Sequence, residues 1–468
     1  MTVELSRRAL LVTGGCAAAG LAFKPVRPRA APPTTIEYQL TAAPGQSALL
    51  GPGHPETAVW SYNGQTPGPE IRLRQGERVR VVLKNGLRQD TTIHWHGLRV
   101  PNAMDGAPDV TQPSIQPDGN FSYEFSAPDA GTHWYHPHAH SSEQVGRGLM
   151  GAFIVEEPDP LPVDRDVVWV LGDWRLLSDA SIARGFNNPM EMSMSGRVGN
   201  TVTINGRVPD GFSVRSGERL RLRLINAAPA RIFGLEFRNL RPVIVALDGQ
   251  PIEPHAPEGG RVVLGPAMRT DLALDMTGAP GSTSPVIDTF YDGLSYKLVD
   301  ISYAGKPPIR SARLKPPAQL PQNTMPEPDV SRAQRHEVTF TGGMMGGTGM
   351  GGMMGMMAGG AMWAINGIAA HGHNMKPVLT LTRGDSYVFA LNNDTAWHHP
   401  IHLHGHSFRV ISRNGRPTRY REWRDTVLMA PRERADIAFV ADNPGDWMFH
   451  CHILDHQEGG MMSVVRVA

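Results

Sequence analysis

The sequence predicts an all-β chain of three consecutive β-sandwich domains, and three observations predict it. One pattern recurs three times: "YNGQTPGPEIRLRQGERVRVVLKN" from Tyr62, "INGRVPDGFSVRSGERLRLRLIN" from Ile204 and "INGIAAHGHNMKPVLTLTRGDSYVFALNN" from Ile365. Each copy opens on Asn-Gly and closes an alternating strand on asparagine. Gly76 and Asn85, Gly217 and Asn226, and Gly384 and Asn393 are all nine residues apart. Within the copies the apolar residues alternate, as Val79, Val81 and Leu83 do against Arg78, Arg80 and Lys84, which is the period of a half-buried strand. Finally, 51 glycines and 40 prolines punctuate the chain into short strands, and the proline-rich stretches "EEPDPLPVD" and "RLKPPAQLPQNTMPEPD" mark two boundaries.

The N-terminus reads as an address. Arg7 and Arg8 precede an apolar run too short to span a bilayer, similar to a twin-arginine export signal, with cleavage expected near Ala30 or Ala31. Residues 1–31 are therefore expected to be removed, Cys16 with them, leaving a periplasmic protein with no membrane attachment. Cys451 is then the one remaining cysteine, so an oxidising compartment is used without an internal disulfide. Lysine plus arginine number 45 against 44 acidic residues, a balance that gives no electrostatic footprint for nucleic acid and points to a small partner.

Chemistry concentrates in the histidines. Nineteen in 468 residues would give roughly one His-x-His pair by chance, yet the chain carries His94/His96, His136/His138, His402/His404 and His450/His452. Residues two apart on a strand share a face and neighbours oppose, so His450 and His452 look one way and Cys451 the other. The same parity separates His402 and His404 from His399. Two sites follow. Cys451, His399, His456 and Met461 compose a His2Cys set with a weak thioether, which suits copper cycling between oxidation states better than zinc. The eight paired imidazoles suffice for several metal ions. Half of them come from the first unit and half from the third, so that site is expected between those domains. The middle unit, with only His255, is expected to space and orient the other two.

These four motifs in this order resemble the multicopper oxidases, specifically the three-domain bacterial laccase-like and cuprous oxidases, over essentially the whole mature chain. The resemblance implies cupredoxin-like Greek-key domains at 32–160, 161–320 and 321–468, the last with a methionine-rich insertion at 344–362. It implies four copper ions: a type 1 copper on His399, Cys451, His456 and Met461, a type 2 copper on His94 and His402, and a type 3 pair on His96, His136, His138, His404, His450 and His452. Dioxygen would be reduced to water at the expense of a one-electron donor. Asp105 matches the position of an acid that the family uses for proton delivery. Where many relatives carry glutamate after the type 1 histidine this chain has Gln457, so Glu458 can relay protons only if it turns inward.

The run from Met344 to Met362 holds eight methionines among glycines. Soft thioethers favour Cu(I), and the run resembles the insertion of cuprous oxidases. Met344, Met345, Met350, Met353, Met354, Met356 and Met357 are the candidates for extra Cu(I), which favours Cu(I) as reductant and a role in copper tolerance. Trp397, two residues before His399, points instead to a phenolic donor and a laccase, with Asp394 a nearby contact for either. Met190, Met192 and Met194 are expected to pack as a buried strand, while His371, His373 and Met375 form a weaker candidate copper site. His133, His140, His398 and His406 are expected to be neighbours of ligands or surface groups. A passive scaffold or copper store is the non-enzymatic alternative, and the full ligand set argues against it. The chain is expected to act as a monomer.

Overall fold

The computed structural model describes residues 35–310, 312, 314–344, 362–370 and 375–468. The expected signal segment, Met345 to Met357 and the pair His371 and His373 lie outside the described residues.

Strands dominate, and they group into three sandwiches, each with its own apolar core. In the first, the sheet Thr57–Tyr62, Thr35–Ser47, Arg78–Asn85, Asn120–Ser126 faces the sheet Gly68–Arg74, Gly151–Glu156, Gly131–His136, His94–His96. Six- and five-stranded sheets over residues 165–303 form the second; seven- and five-stranded sheets over 334–467 form the third. The expected boundaries at 160/161 and 320/321 fall in segments without strands.

Why the pattern repeats is visible in its two asparagines. The strand that ends each copy pairs in parallel with the domain's first strand: Arg78–Asn85 with Thr35–Ser47, Arg219–Asn226 with Arg165–Trp174, and Ser386–Asn393 with Gln334–Gly342. In the opening Asn-Gly pairs, Asn63, Asn205 and Asn366 all take positive φ, as do the glycines that follow, which is what a type I′ turn requires. Each of these side chains then docks on that first strand. Asn63 Oδ1 accepts from Thr41 N, Asn205 Oδ1 from Val170 N and Asn366 Oδ1 from Thr339 N, at 2.7, 2.8 and 2.7 Å.

The closing asparagines repeat one corner. Asn85 donates to Gln89 O and Ile115 O, Asn226 to Arg231 O and Leu264 O, and Asn393 to Trp397 O and Ala430 O. Each also accepts from the backbone N–H two residues on. In the third domain this corner leads into His399. Thr395 Oγ1 bonds both Asn393 Oδ1 and His399 Nε2, each at 2.8 Å. Asn393→Ala strips a fully buried corner of its donors; the expected cost is about 1–3 kcal/mol, read by denaturant unfolding of the copper-free chain, together with a weaker blue absorption on copper loading. An unchanged unfolding midpoint would mean water replaces the side chain.

Candidate metal centre

Two antiparallel pairings assemble the histidines. In the first domain His94 lies opposite His136 and His96 opposite Trp134. In the third, His402 lies opposite His450 and Ile401 opposite Cys451, so the alternation of one strand sends Cys451 into the domain core and its two neighbours to the domain boundary.

On the core side three donor atoms form a triangle. His399 Nδ1 is 3.5 Å and His456 Nδ1 3.6 Å from Cys451 Sγ, and the two nitrogens are 3.0 Å apart. The outer nitrogens are tied down, His399 Nε2 to Thr395 Oγ1 and His456 Nε2 to the carbonyl of Met194, both at 2.8 Å. A carbonyl only accepts, so His456 carries its proton on Nε2 and offers a lone pair toward the thiol. Met461, fully buried, shares the core of Cys451, and Cys451 N donates to Met461 O. Burial pushes the Cys451 thiol above its ordinary range and holds His399 well below the usual imidazole value and His456 down to about 3.

On the boundary side lie the eight paired imidazoles, none more than 4 % exposed. Their ligand atoms cluster as His94, His96 and His402; as His96, His136 and His452; and as His138, His404 and His450, every set mixing the first and third domains. His404 Nε2 and His138 Nε2 lie 3.0 and 3.4 Å from His450 Nε2, and His452 Nε2 lies 3.3 Å from His136 Nε2. The outer nitrogens of His94, His136, His402 and His450 reach the carbonyls of Asp105, Pro137, Asp425 and Cys451. Their inner nitrogens are therefore bare. His94 Nε2, His96 Nδ1, His402 Nε2 and His452 Nδ1 are buried with no protein partner. Burial depresses His96, His136, His138, His402, His404 and His452 well below the ordinary imidazole value, and His450 to about 4. The orphaned nitrogens of His94, His96 and His402 belong to residues whose ligand atoms converge, which is what a metal ion needs, and a neighbouring His2Cys set selects copper.

Asp105 is fully buried and Glu458 half-buried. Asp105 Oδ2 accepts from His404 Nδ1 at 2.8 Å, and Oδ1 lies 3.2 Å from His94 Nδ1. Glu458 ends the helix Leu454–Glu458 and accepts from Ser142 N at 2.8 Å, just beyond the His136/His138 motif; burial pushes its carboxyl up. Beside it sits Asp455, which sequence reasoning missed. It is fully buried and accepts from Arg197 N and Ser142 Oγ. Asp425 and Arg269 were missed too, since neither carries a local signal and both reach the cluster only through tertiary structure.

The outer edge of the Cys451 site is built by the middle domain, and here one expectation is overturned. Met190 and Met192 are not a buried strand. Asn188 caps a short helix, Pro189–Met192, by accepting from Met190 N and Glu191 N, with proline at its first position, and Met190 is 58 % exposed. Trp363 donates Nε1 to Met192 O and lays its ring 4.3 Å from that of His456. Trp397 donates Nε1 to Met344 O, and Met344 N donates to Ser193 O. Of the methionine run, Met344 and Met362 are the described residues, and both lie by the Cys451 site, Met344 through these bonds and Met362 packed against the core that holds Cys451. Asp394 pairs with Arg432. His140 is exposed and pairs with Asp90 at 2.9 Å, whereas His133 and His406 are buried.

Comparison with known proteins shows the family. Three multicopper oxidase family models match residues 46–160, 165–282 and 351–468. The chain is 30 % identical to the multicopper oxidase MmcO of Mycobacterium tuberculosis over 98 % of this chain and 96 % of that one. It is 26 % identical to copper resistance protein A of Escherichia coli, covering 92 % of each. The crystal structure of a multicopper oxidase from Pseudomonas thermotolerans superposes with a TM-score of 0.82 at 36 % identity, covering 93 % of this chain and all of that one. With three cupredoxin-like domains, converging buried imidazoles and full-length likeness to these oxidases, the chain belongs to the multicopper oxidase family.

Proposed function

We propose that this oxidase takes electrons singly from a small reductant at the Cys451 site and delivers them to the histidine cluster, where dioxygen is reduced to water. Cu(I) is the favoured donor and copper tolerance the role. His399, Cys451, His456 and Met461 would hold one copper, His94 and His402 a second, and His96, His136, His138, His404, His450 and His452 a pair. Bound copper supplies the one-electron steps, and four ions store the four electrons that dioxygen requires. The chain would work as an exported, periplasmic monomer; among the described residues no helix is long and apolar enough to cross a membrane.

The observation that carries this reading is the placement of Cys451. Its thiol faces one donor set, its sequence neighbours face the other, and His450 Nδ1 donates to the Cys451 carbonyl at 2.9 Å. Thiol and cluster are thus joined by a few covalent bonds and one hydrogen bond. Asp105 would hold and pass protons at its Oδ1, beside His94 and His404, and Glu458 would serve a second route. Asp105→Asn is expected to slow oxygen reduction about 100-fold while leaving reduction of the Cys451 site by the donor near wild type in stopped flow. Equal slowing of both steps would count against a proton role.

Cu(I) is favoured by Met344, held against Trp397 and Ser193 at the edge of the site, and by likeness to a copper resistance protein. A laccase reading has one observation of its own: Trp397, half-buried against the core that holds Cys451, offers an aromatic flank to a phenol. Oxygen uptake with Cu(I) and then a methoxyphenol as the sole reductant separates the two. A marked preference for Cu(I) that disappears when residues 344–357 are deleted supports the cuprous oxidase. Phenol turnover that dominates and survives the deletion supports the laccase.

A further inference from the structure

We infer that Arg269 of the middle domain is a positioning residue for the histidine cluster: it clamps Asp425 so that this one residue fixes opposite tautomers in His96 and His402. The inference rests on the reading above that the cluster holds copper. The middle domain supplies no histidine to that cluster, and its sequence suggests a spacer. Arg269 shows that it does more.

A guanidinium has five N–H donors, and in fully buried Arg269 every one is used. Nε donates to Thr132 O at 3.0 Å, on the first-domain strand that ends in His136. Nη1 donates to Ala267 O at 3.3 Å and Asp425 Oδ1 at 2.7 Å; Nη2 donates to Asp248 O at 3.0 Å and Asp425 Oδ2 at 2.6 Å. One side chain is thereby bonded to all three domains, and its two shortest bonds form a bidentate clamp on the Asp425 carboxylate.

Asp425 adjoins the strand Thr426–Met429, where Thr426 lies opposite His402. Its carboxylate Oδ1 lies 3.2 Å from His96 Nε2, and its carbonyl 2.8 Å from His402 Nδ1. A carboxylate clamped by arginine through both oxygens only accepts, and Thr426 Oγ1, 3.1 Å from His96 Nε2, gives its own proton to Asp425 Oδ1 at 2.8 Å and so accepts as well; His96 therefore carries its proton on Nε2 and presents a bare Nδ1. His402 does the reverse, donating from Nδ1 and presenting a bare Nε2. Those are the two nitrogens of these rings that are buried without a partner. A wrong tautomer in either ring would aim an N–H into the cluster and delete a ligand atom.

A second observation ties the clamp to the motif itself. Gly97 follows His96 with φ +84°, and a Cβ there would stand 2.1 Å from Arg269 Nη2 and 2.6 Å from Asp425 Oδ2. The glycine after His96 leaves the room that the ion pair fills.

Two measurements test this. Nitrogen-15 NMR of the imidazoles in the copper-free, full-length wild-type chain is expected to find His96 protonated on Nε2 and His402 on Nδ1. The opposite tautomer in either ring overturns the inference without any variant. Arg269→Lys keeps the charge but cannot span both carboxylate oxygens and the three carbonyls. Its histidine cluster is expected to lose copper to a chelator about 10- to 100-fold more readily, with mixed tautomers at His96 and the blue absorption of the Cys451 site retained. A lysine variant with wild-type tautomers and copper retention overturns the inference, as does one that loses both sites equally. A wild-type chain that binds copper at Cys451 but none at the cluster instead refutes the copper reading, and the tautomers still judge Arg269.

Discussion

Cys451→Ser is expected to give a folded chain that has lost its blue absorption and whose oxidase turnover falls to background, while the histidine cluster keeps its copper. The selectivity follows from where Cys451 lies. It is free, fully buried and in no disulfide, so serine removes no cross-link and little volume. Its backbone keeps the bonds that matter for its neighbours: Cys451 N to Met461 O, and the carbonyl that receives His450 Nδ1. His450 and His452 therefore still face the other imidazoles. What vanishes is the one soft, ionisable donor in the triangle with His399 and His456. A hydroxyl in that place neither charges nor gives the strong sulfur-to-copper absorption, and electrons no longer reach the cluster by this route. Copper analysis, a visible spectrum and oxygen uptake on one preparation decide it. A serine variant that remained blue would place the thiol elsewhere, and one that lost cluster copper too would mean that the two sites are not separable.

The sequence is legible where chemistry repeats on a local period. Parity along "HCH" and "HPIHLH" separates two donor sets that the structure keeps apart, and the Asn-Gly turns and strand-ending asparagines announce three copies of one corner. It is illegible where the same local pattern meets different neighbours. Arg78 and Arg80 alternate with valines and are exposed. Arg219 and Arg221 stand at the same positions of the next copy and alternate with leucines, yet they are 7 % and 1 % exposed, and Arg223, two residues on, is 1 % exposed. Nothing in the strand distinguishes them; the difference is another domain packed against that face. Asp425 and Arg269 are hidden for the same reason. Met190 and Met192 mislead because spacing by two imitates a strand, while Asn188-Pro189 starts a helix there.

That buried arginine face carries the largest stability effect expected in the chain. Arg221 and Arg223 converge on Asp271 Oδ2, at 2.7 and 3.2 Å, while Thr132 of the first domain donates to Asp271 Oδ1 at 2.7 Å. Outside this centre, Arg221 also holds Glu157 through two bonds, and Arg223 holds Asp166 through two more. Removing Asp271 leaves Arg221 and Arg223 their bonds to Glu157 and Asp166, but Arg221 Nε, which donates to Asp271 Oδ2 at 3.0 Å, and Thr132 Oγ1 lose their acceptors in the buried interior. Each buried donor left without an acceptor costs about 1–3 kcal/mol. The contrast is the Arg466–Asp446 pair, which has equally short bidentate bonds of 2.6 and 2.7 Å at the surface. Water replaces what that pair loses. In calorimetry of the copper-free chain, Asp271→Ala should lower the transition of the first two domains strongly and Asp446→Ala should barely move any. Equal shifts from the two would show that the network's charges are solvated after all. A stabilising effect of replacing Arg221, Arg223 and Asp271 together by apolar residues would show that the network serves domain registry at the expense of stability, which is the other behaviour known for buried ion pairs.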